Sequence, residues 1–286
     1  MLLLNEEERG PLEDEISGML GRNPFSKYLA YRAYSEGTKE YHLVDDSIGR
    51  LWECRPLAFV GDKTFRSLTS ILRQEYPSHT IFHFCLYPDD HIEPMLDWYK
   101  QLKTRKDDLL AEAASRYAEH ISKGRAGIEK MRGIPTRNFR LFVSVKSPDG
   151  LSPEQIATIE EGLQSAGLAP VNMVPGKLLA WLRRLFNRNV PQNDEAYNDG
   201  RYISNQAIDA DDPVEKIPGG MRFGGRLAAC LSAKSTPESI DGLGMNCLIG
   251  GFGGSDEDAT QLKHRFLWTT SVYYKANSSA IKKKAS

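Results

Sequence analysis

Phe139-Arg140-Leu141-Phe142-Val143-Ser144-Val145, and a few residues later Ser152-Pro153-Glu154-Gln155-Ile156, decide what kind of fold this chain makes. In the first run Phe139, Leu141, Val143 and Val145 alternate with Arg140, Phe142 and Ser144, the two-residue period of a strand with one buried face. In the second, Ser152 is an N-cap, Pro153 a first-turn proline and Gln155 the reciprocal partner of a capping box, with Ile156, Ile159 and Leu163 returning on one face. Gly167 stops that helix, and Leu178, Trp181, Leu182 and Leu185 outline another. Strand, helix and helix in this order predict an α+β fold, with mixed and antiparallel strands packed against helices.

Outward from this centre, residues 1–24 form a polar, acidic lead-in. Residues 25–34, 41–44 and 50–55 read as strands, the last two joined in a hairpin by the turn-rich residues 45–49. Asp62 is read as the cap of a helix carrying Phe65, Leu68 and Leu72 on one face, and Thr80, Phe82, Phe84 and Leu86 share one side of a strand at 80–86. One long helix is expected over 92–122, from Leu96, Tyr99, Leu102, Leu109, Ala113, Tyr117 and Ile121, ending at Gly124. Residues 187–225 are rich in Asn, Asp, Gly and Pro and suggest an irregular connection with one strand near 201–204. Residues 227–233, 245–249 and 266–274 then read as a second group of strands. The domain is placed at 25–275, with a subdivision near 148–152, and a basic disordered tail at 276–286. No internal repeat is visible.

Composition excludes several classes. Forty per cent apolar and 26% charged residues are ordinary for a globular chain of 286 residues, which is long enough to bury a core unaided. Lys plus Arg (37) and Asp plus Glu (38) cancel to −1, so no global field draws the chain onto nucleic acid or anionic lipid. The four cysteines, Cys54, Cys85, Cys230 and Cys247, make no C-x-x-C pair and read as thiols of a reducing compartment. A mean hydropathy of −0.46 and the lack of any run of about 20 apolar residues argue against a spanning helix. Glu6, Glu7 and Glu8 directly after the opening leucines are unlike a signal peptide, so a cytoplasmic location is expected.

The candidate chemistry is thin. A phosphate-cradling G-x-x-x-x-G-K-[ST] loop is missing, and in Gly61-Asp62-Lys63-Thr64 a carboxylate stands where phosphates would sit. Gly250-Gly251-Phe252-Gly253-Gly254 runs into Asp256, Glu257 and Asp258, so it and residues 219–225 read as surface loops. His79 and His83 lie on a strand, where four residues separate them by roughly 13 Å, too far for one ion. Asp89, Asp90, His91 and Glu93 read as a cap with first-turn acids, and a hydrolase would have only this cluster behind it. No serine elbow or cysteine–histidine signature marks a nucleophile. Lys177, Arg183, Arg184 and Arg188, with Trp181 and Phe186, are the candidate surface contact, for lipid head groups, nucleic acid or an acidic partner; a solvated helix flank is the plainer reading.

One resemblance runs along most of the chain. Tyr31-Arg32-Ala33-Tyr34, Ile48-Gly49-Arg50-Leu51-Trp52, Arg55-Pro56-Leu57 with Gly61-Asp62, and Tyr76-Pro77 resemble, in wording and in order, the N-terminal region of TraC-type assembly ATPases of F-type conjugative type IV secretion. The likeness continues through residues 116–121, 140–145, 163–168, 177–187 and Ser204-Asn205-Gln206, spanning about 25 to 275. It implies a cytoplasmic domain, peripheral at the inner membrane, that docks other secretion components, forms homo-oligomers and serves conjugative pilus assembly and DNA transfer. In that family a nucleotide-binding motor follows this region; no Walker motif occurs within these 286 residues. No catalytic, cofactor or metal residue therefore carries over, and ATP and magnesium are expected only in the motor. The alternative is a freestanding nucleic-acid-associated protein of a mobile element, suggested by the basic helix and Lys282, Lys283 and Lys284.

Overall fold

The computed structural model describes residues 21–57, 60–102, 108–127, 135–232 and 267–275. Its elements are β1 (Tyr31–Ser35), β2 (Glu40–Leu43), β3 (Ile48–Cys54), α1 (Asp62–Leu72), β4 (Ile81–Asp89), α2 (Glu93–Gln101), α3 (Asp108–Lys123), β5 (Asn138–Ser147), α4 (Pro153–Ser165), β6 (Val171–Asn172), α5 (Pro175–Phe186), β7 (Glu215–Ile217), β8 (Gly220–Phe223), β9 (Arg226–Ala228) and β10 (Trp268–Tyr273). The fold is α+β.

β5 runs between β3 and β4 and pairs antiparallel with both, from Cys54 opposite Leu141 to Ile48 opposite Ser147 on one side and from Asp89 opposite Asn138 to Ile81 opposite Lys146 on the other. The full sheet reads β1-β2-β3-β5-β4-β10, with β6 on β3 beyond the reach of β2. Both faces of these central strands are covered. Trp52, Phe82, Val143 and Val145 meet Ile71 of α1 and Ile156, Ile159 and Leu163 of α4. On the opposite face Leu51, Cys85, Tyr87 and Phe142 meet Leu178, Leu179, Leu182 and Phe186 of α5 and Ile203 behind it. Phe142, expected to point outward, is therefore buried, its ring 4.7 Å from that of Trp181, because α5 lies over the face that alternation left polar.

Helix ends follow local chemistry. Ser152 accepts from the Gln155 N–H at 3.2 Å while Gln155 Oε1 accepts from the Ser152 N–H at 3.0 Å, completing the capping box. Gly167 has φ +85°, and the N–H groups of Gly167 and Leu168 bond the carbonyls of Gln164 and Leu163, a Schellman ending. α4 approaches α1 so closely at Gly162 that a Cβ there would lie 2.4 Å from Ile71 Cγ1. Gly61, not Asp62, is the N-cap of α1, and it makes no side-chain cap bond; Asp62 is the first-turn acid.

Other expectations change for definite reasons. Residues 24–28 form a 3-10 helix, with Asn23 Oδ1 accepting from the Phe25 N–H at 3.0 Å and Pro24 in the first turn, and only then does β1 begin. Residues 203–206 are also a 3-10 helix, not a strand. Residues 219–225 are a strand with a turn at each end: Gly219, Gly224 and Gly225 have positive φ, and the last two close β8 onto β9. β9 ends at Ala228, earlier than expected, and β10 joins β4 in the main sheet, not a second group. The strand expected at 245–249 and the tail at 276–286 lie outside the described residues.

The single helix expected over 92–122 is two helices. Tyr99 and Tyr117 sit with ring centroids 5.3 Å apart and Arg125 pairs with Glu93, whereas 18 residues of continuous helix would separate the two tyrosines by roughly 27 Å. The chain folds back between α2 and α3 into a helical hairpin. Its apolar repeat continued unbroken because each helix uses the same period to face the other.

Two outcomes test this packing. Ile159, fully buried, is expected to cost about 2–5 kcal/mol on truncation to Ala, and Phe65, 67% exposed, under about 0.5 kcal/mol, in urea unfolding. In the β2–β3 turn, partial burial opposes ionisation of Asp45, but bonds from Lys146 Nζ (2.6 Å) and the Ser47 hydroxyl and N–H hold its pKa at about 2, below the ordinary 3.8. A folded-state pKa below the unfolded one stabilises above pH 4, and that contribution is lost as pH falls toward 2. Asp45→Asn should flatten the fall of the urea midpoint across this window; an unchanged slope would refute the assignment.

Candidate functional site

The four basic residues proposed as a contact surface do not form one open face. Arg183 donates from Nε to the Gln206 carbonyl at 3.0 Å and from Nη1 to the Asp194 carbonyl at 2.6 Å; Arg184 Nη1 reaches Asp194 Oδ2 at 2.8 Å. Both guanidinium groups are half-buried and fasten the connection after α5 back onto the helix. Burial lowers the Arg183 pKa, against the opposing pull of Asp209 and Asp194. Lys177 and Arg188 are exposed, and the Arg188 N–H meets Asp212 Oδ2 at 2.9 Å.

The strongest polar cluster was not singled out in the sequence. Arg140, on β5, takes Glu53 of β3 in a two-pronged grip (Nε to Oε1 2.7 Å, Nη2 to Oε2 3.0 Å) and Asp89 of β4 through Nη1 at 3.2 Å. Side-chain exposures of 12%, 32% and 5% place the arginine and Asp89 in a setting with little water. Burial penalises the guanidinium charge, and Glu53 and then Asp89 more than reverse this, raising its pKa. The group also lies over the Phe142 ring at 5.0 Å. A second clasp joins Arg50 and Trp52 Nε1 to Glu160 Oε1 of α4, at 3.3 and 2.9 Å.

These contacts settle the placement of the acidic cluster. Asp89 is the buried last residue of β4; its Oδ1 accepts from the His91 N–H at 3.0 Å while Oδ2 meets Arg140. Glu93 is the first-turn acid of α2 and pairs with His91 at 3.1 Å and with Arg125, and the N-cap is Ile92. His79 bonds the Tyr273 hydroxyl, and His83 bonds the Ser271 hydroxyl at 2.8 Å, its pKa lowered by burial; both serve the β4–β10 seam. Among the described residues no three His, Cys, Asp or Glu side chains are grouped to hold a metal. Cys54 and Cys85 are buried, which pushes their thiols up to about 12 and about 11. The loop at 250–254 and Cys247 lie outside the described residues.

The helical hairpin is the conspicuous surface feature. α2 and α3 pack chiefly on each other and on the short 3-10 turn at Gly124–Ala126, away from the sheet cores. At about 100° per residue, Ile92, Leu96 and Tyr99 share one stripe of α2, and Met95, Trp98 and Leu102 form a second beside it. The first is buried or half-buried. The second is exposed at 53%, 63% and 52%, and Tyr117 of α3 is exposed at 52%. The i, i+3, i+7 spacing of Met95, Trp98 and Leu102 was visible in the sequence, but a stripe of this width reads equally as core.

Fold and surface together define an antiparallel α+β domain that is braced internally by ion pairs and extends a helical hairpin. The family model described as TraC protein matches residues 25–286, and the chain belongs to that family. It is therefore a protein of conjugative type IV secretion. No curated protein sequence matches it. Among the described residues no helix is long and apolar enough to cross a membrane.

Arg140→Met should cost about 3–5 kcal/mol in urea unfolding, because Asp89 stays buried with its cation removed. A loss below about 1 kcal/mol, the scale of an exposed pair, would show that the clasp is not structural.

Proposed function

We propose that this chain is the docking and assembly domain of a type IV secretion ATPase, acting through protein–protein contacts and performing no chemistry of its own. The observation that carries the reading is the hairpin: an outlying helix presents Met95, Trp98 and Leu102 to solvent beside a stripe that already has its partner. ATP and magnesium belong, on this reading, to a motor domain, and the docking takes place at the cytoplasmic face of the inner membrane. The polar clusters support it, since Arg140, Arg50, Arg183 and Arg184 all grip groups of this same chain. Those inward bonds leave the nucleic-acid alternative, among the described residues, with Lys177 and Arg188 of its basic helix; Lys282, Lys283 and Lys284 lie outside the described residues.

The test is capture of other secretion components by the tagged chain from cells carrying the conjugation apparatus. The wild-type chain is expected to retain at least one component, and Trp98→Glu to lose about tenfold of it, about 1.4 kcal/mol, while melting unchanged. A wild-type chain that retains none, or a variant that retains as much, would sink the proposal.

A further inference from the structure

We infer that the outer edge of β10 receives one more strand, an extended, uncharged segment of another polypeptide added antiparallel to the sheet. The site is separate from the hairpin and binds through main chain rather than apolar side chains. β10 ends the order β1-β2-β3-β5-β4-β10 and, among the described residues, pairs with β4 alone. Its inward bonds are placed by the Tyr274 N–H, which donates to the Thr80 carbonyl at 3.0 Å. In an antiparallel ladder the residues bonded to one neighbour alternate, so Val272 and Thr270 turn their N–H and C=O groups to β4, while Tyr273, Ser271 and Thr269 turn theirs outward. The outward groups recur every ~7 Å, a spacing that an extended strand matches and a helix, bonded within itself, does not.

The two ends of the sheet are built differently. At the far end β1 is broken by a register shift between Tyr31 and Ala33, Arg32 lies over the Tyr202 ring at 5.5 Å and pairs with Asp46, and the 3-10 turn at Ile203–Gln206 packs against the strand. A bulge, a charge and a cover are the devices that keep an edge from pairing with other chains. β10 carries neither bulge nor charge. Its register with β4 runs unbroken from Trp268 to Tyr273, and these six residues, Trp-Thr-Thr-Ser-Val-Tyr, include no proline. A neutral segment of such high β propensity is a template for strand addition.

The flanking side chains select what is added. Ser271 and Tyr273, on one face, are bonded by His83 and His79, and Thr269 shares that face. Val272, on the other, packs against the core under α1 and α4. An antiparallel partner therefore sets polar residues opposite the first group, their N–H groups turned to β10, and apolar residues beside Val272. Every pairing in this sheet is antiparallel, and a charged segment would meet no opposite charge within residues 268–273.

Two measurements on the whole chain test this. In residue-resolved hydrogen exchange of the free chain, the amides of Thr269, Ser271 and Tyr273 are expected to exchange at least about tenfold faster than those of Thr270 and Val272. The binding probe is acetyl-Thr-Val-Thr-Val-Thr-Val-Thr-amide, methylated on its valine nitrogens in one version and on its threonine nitrogens in the other. The first version keeps the N–H groups that face β10, and it is expected to bind and to slow exchange of the three outward amides. The second is expected to bind at least about tenfold more weakly. Thr269→Pro deletes one outward N–H without removing a bond to β4, and should weaken the first peptide by a similar factor while Thr270 and Val272 stay protected. Outward amides as slow as the inward ones in the free chain would mean that the chain itself or a second copy already closes the edge, which overturns the proposal. Two peptides that bind alike, or neither binding, overturn it as well, and so does a folded Thr269→Pro chain that binds like wild type. None of these outcomes involves Trp98, so the docking reading of the hairpin stands or falls by its own test.

Discussion

The structure depends on one strand being paired along both edges and covered on both faces. β5 pairs with β4 over Asn138–Lys146 and with β3 over Leu141–Ser147, so along its central residues the backbone is bonded on both edges while side chains are buried above and below the sheet. Its odd-numbered residues Val143 and Val145 build the core under α1 and α4, and its even-numbered Phe142 builds the core under α5. Arg140, two residues before Phe142 on the same side, marks where that second core ends. There the three strands are joined by charge, and Glu53 and Asp89 hold the guanidinium from either side.

Much of this was legible in the sequence. The capping box at Ser152, the glycine stop at Gly167 and the turn between β2 and β3 depend on chemistry within a few residues, and the structure realises each. What misled was context supplied from a distance. Phe142 reads as outward because its neighbours Arg140 and Ser144 are polar, and only the arrival of α5 some 35 residues later buries it. Asn23 falls within the stretch read only as a polar lead-in; its side-chain amide donates to the carbonyls of Asp209 and Asp212, holding the start of the domain to a loop far along the chain. The ion clasp was hidden for the same reason, since Glu53, Asp89 and Arg140 meet only through strand register.

The hairpin was misread by a different mechanism. An apolar period of 3.6 residues specifies a helical face but not whether the helix continues or returns, and the stretch between α2 and α3 has no proline to signal a reversal. Its surface was equally ambiguous. Met95, Trp98 and Leu102 lie next to a stripe that is partly buried, and a wide apolar arc is what a core helix has as well. Two of the basic residues of α5 went the opposite way: Arg183 and Arg184 looked like surface but act as internal fasteners of the connection that follows, whereas Lys177 is exposed.

The position of β10 has a consequence for how the protein is made. β4 is complete at Asp89, yet the strand that covers its outer edge starts at Trp268. During synthesis at about 5–20 residues per second, that edge stands open for roughly 10 to 40 s after β4 has emerged. Its unpaired backbone groups are then a template for any passing strand. Newly made chains are consequently more prone to mispair at this edge than finished ones, and the His79–Tyr273 and His83–Ser271 bonds form among the last contacts of folding.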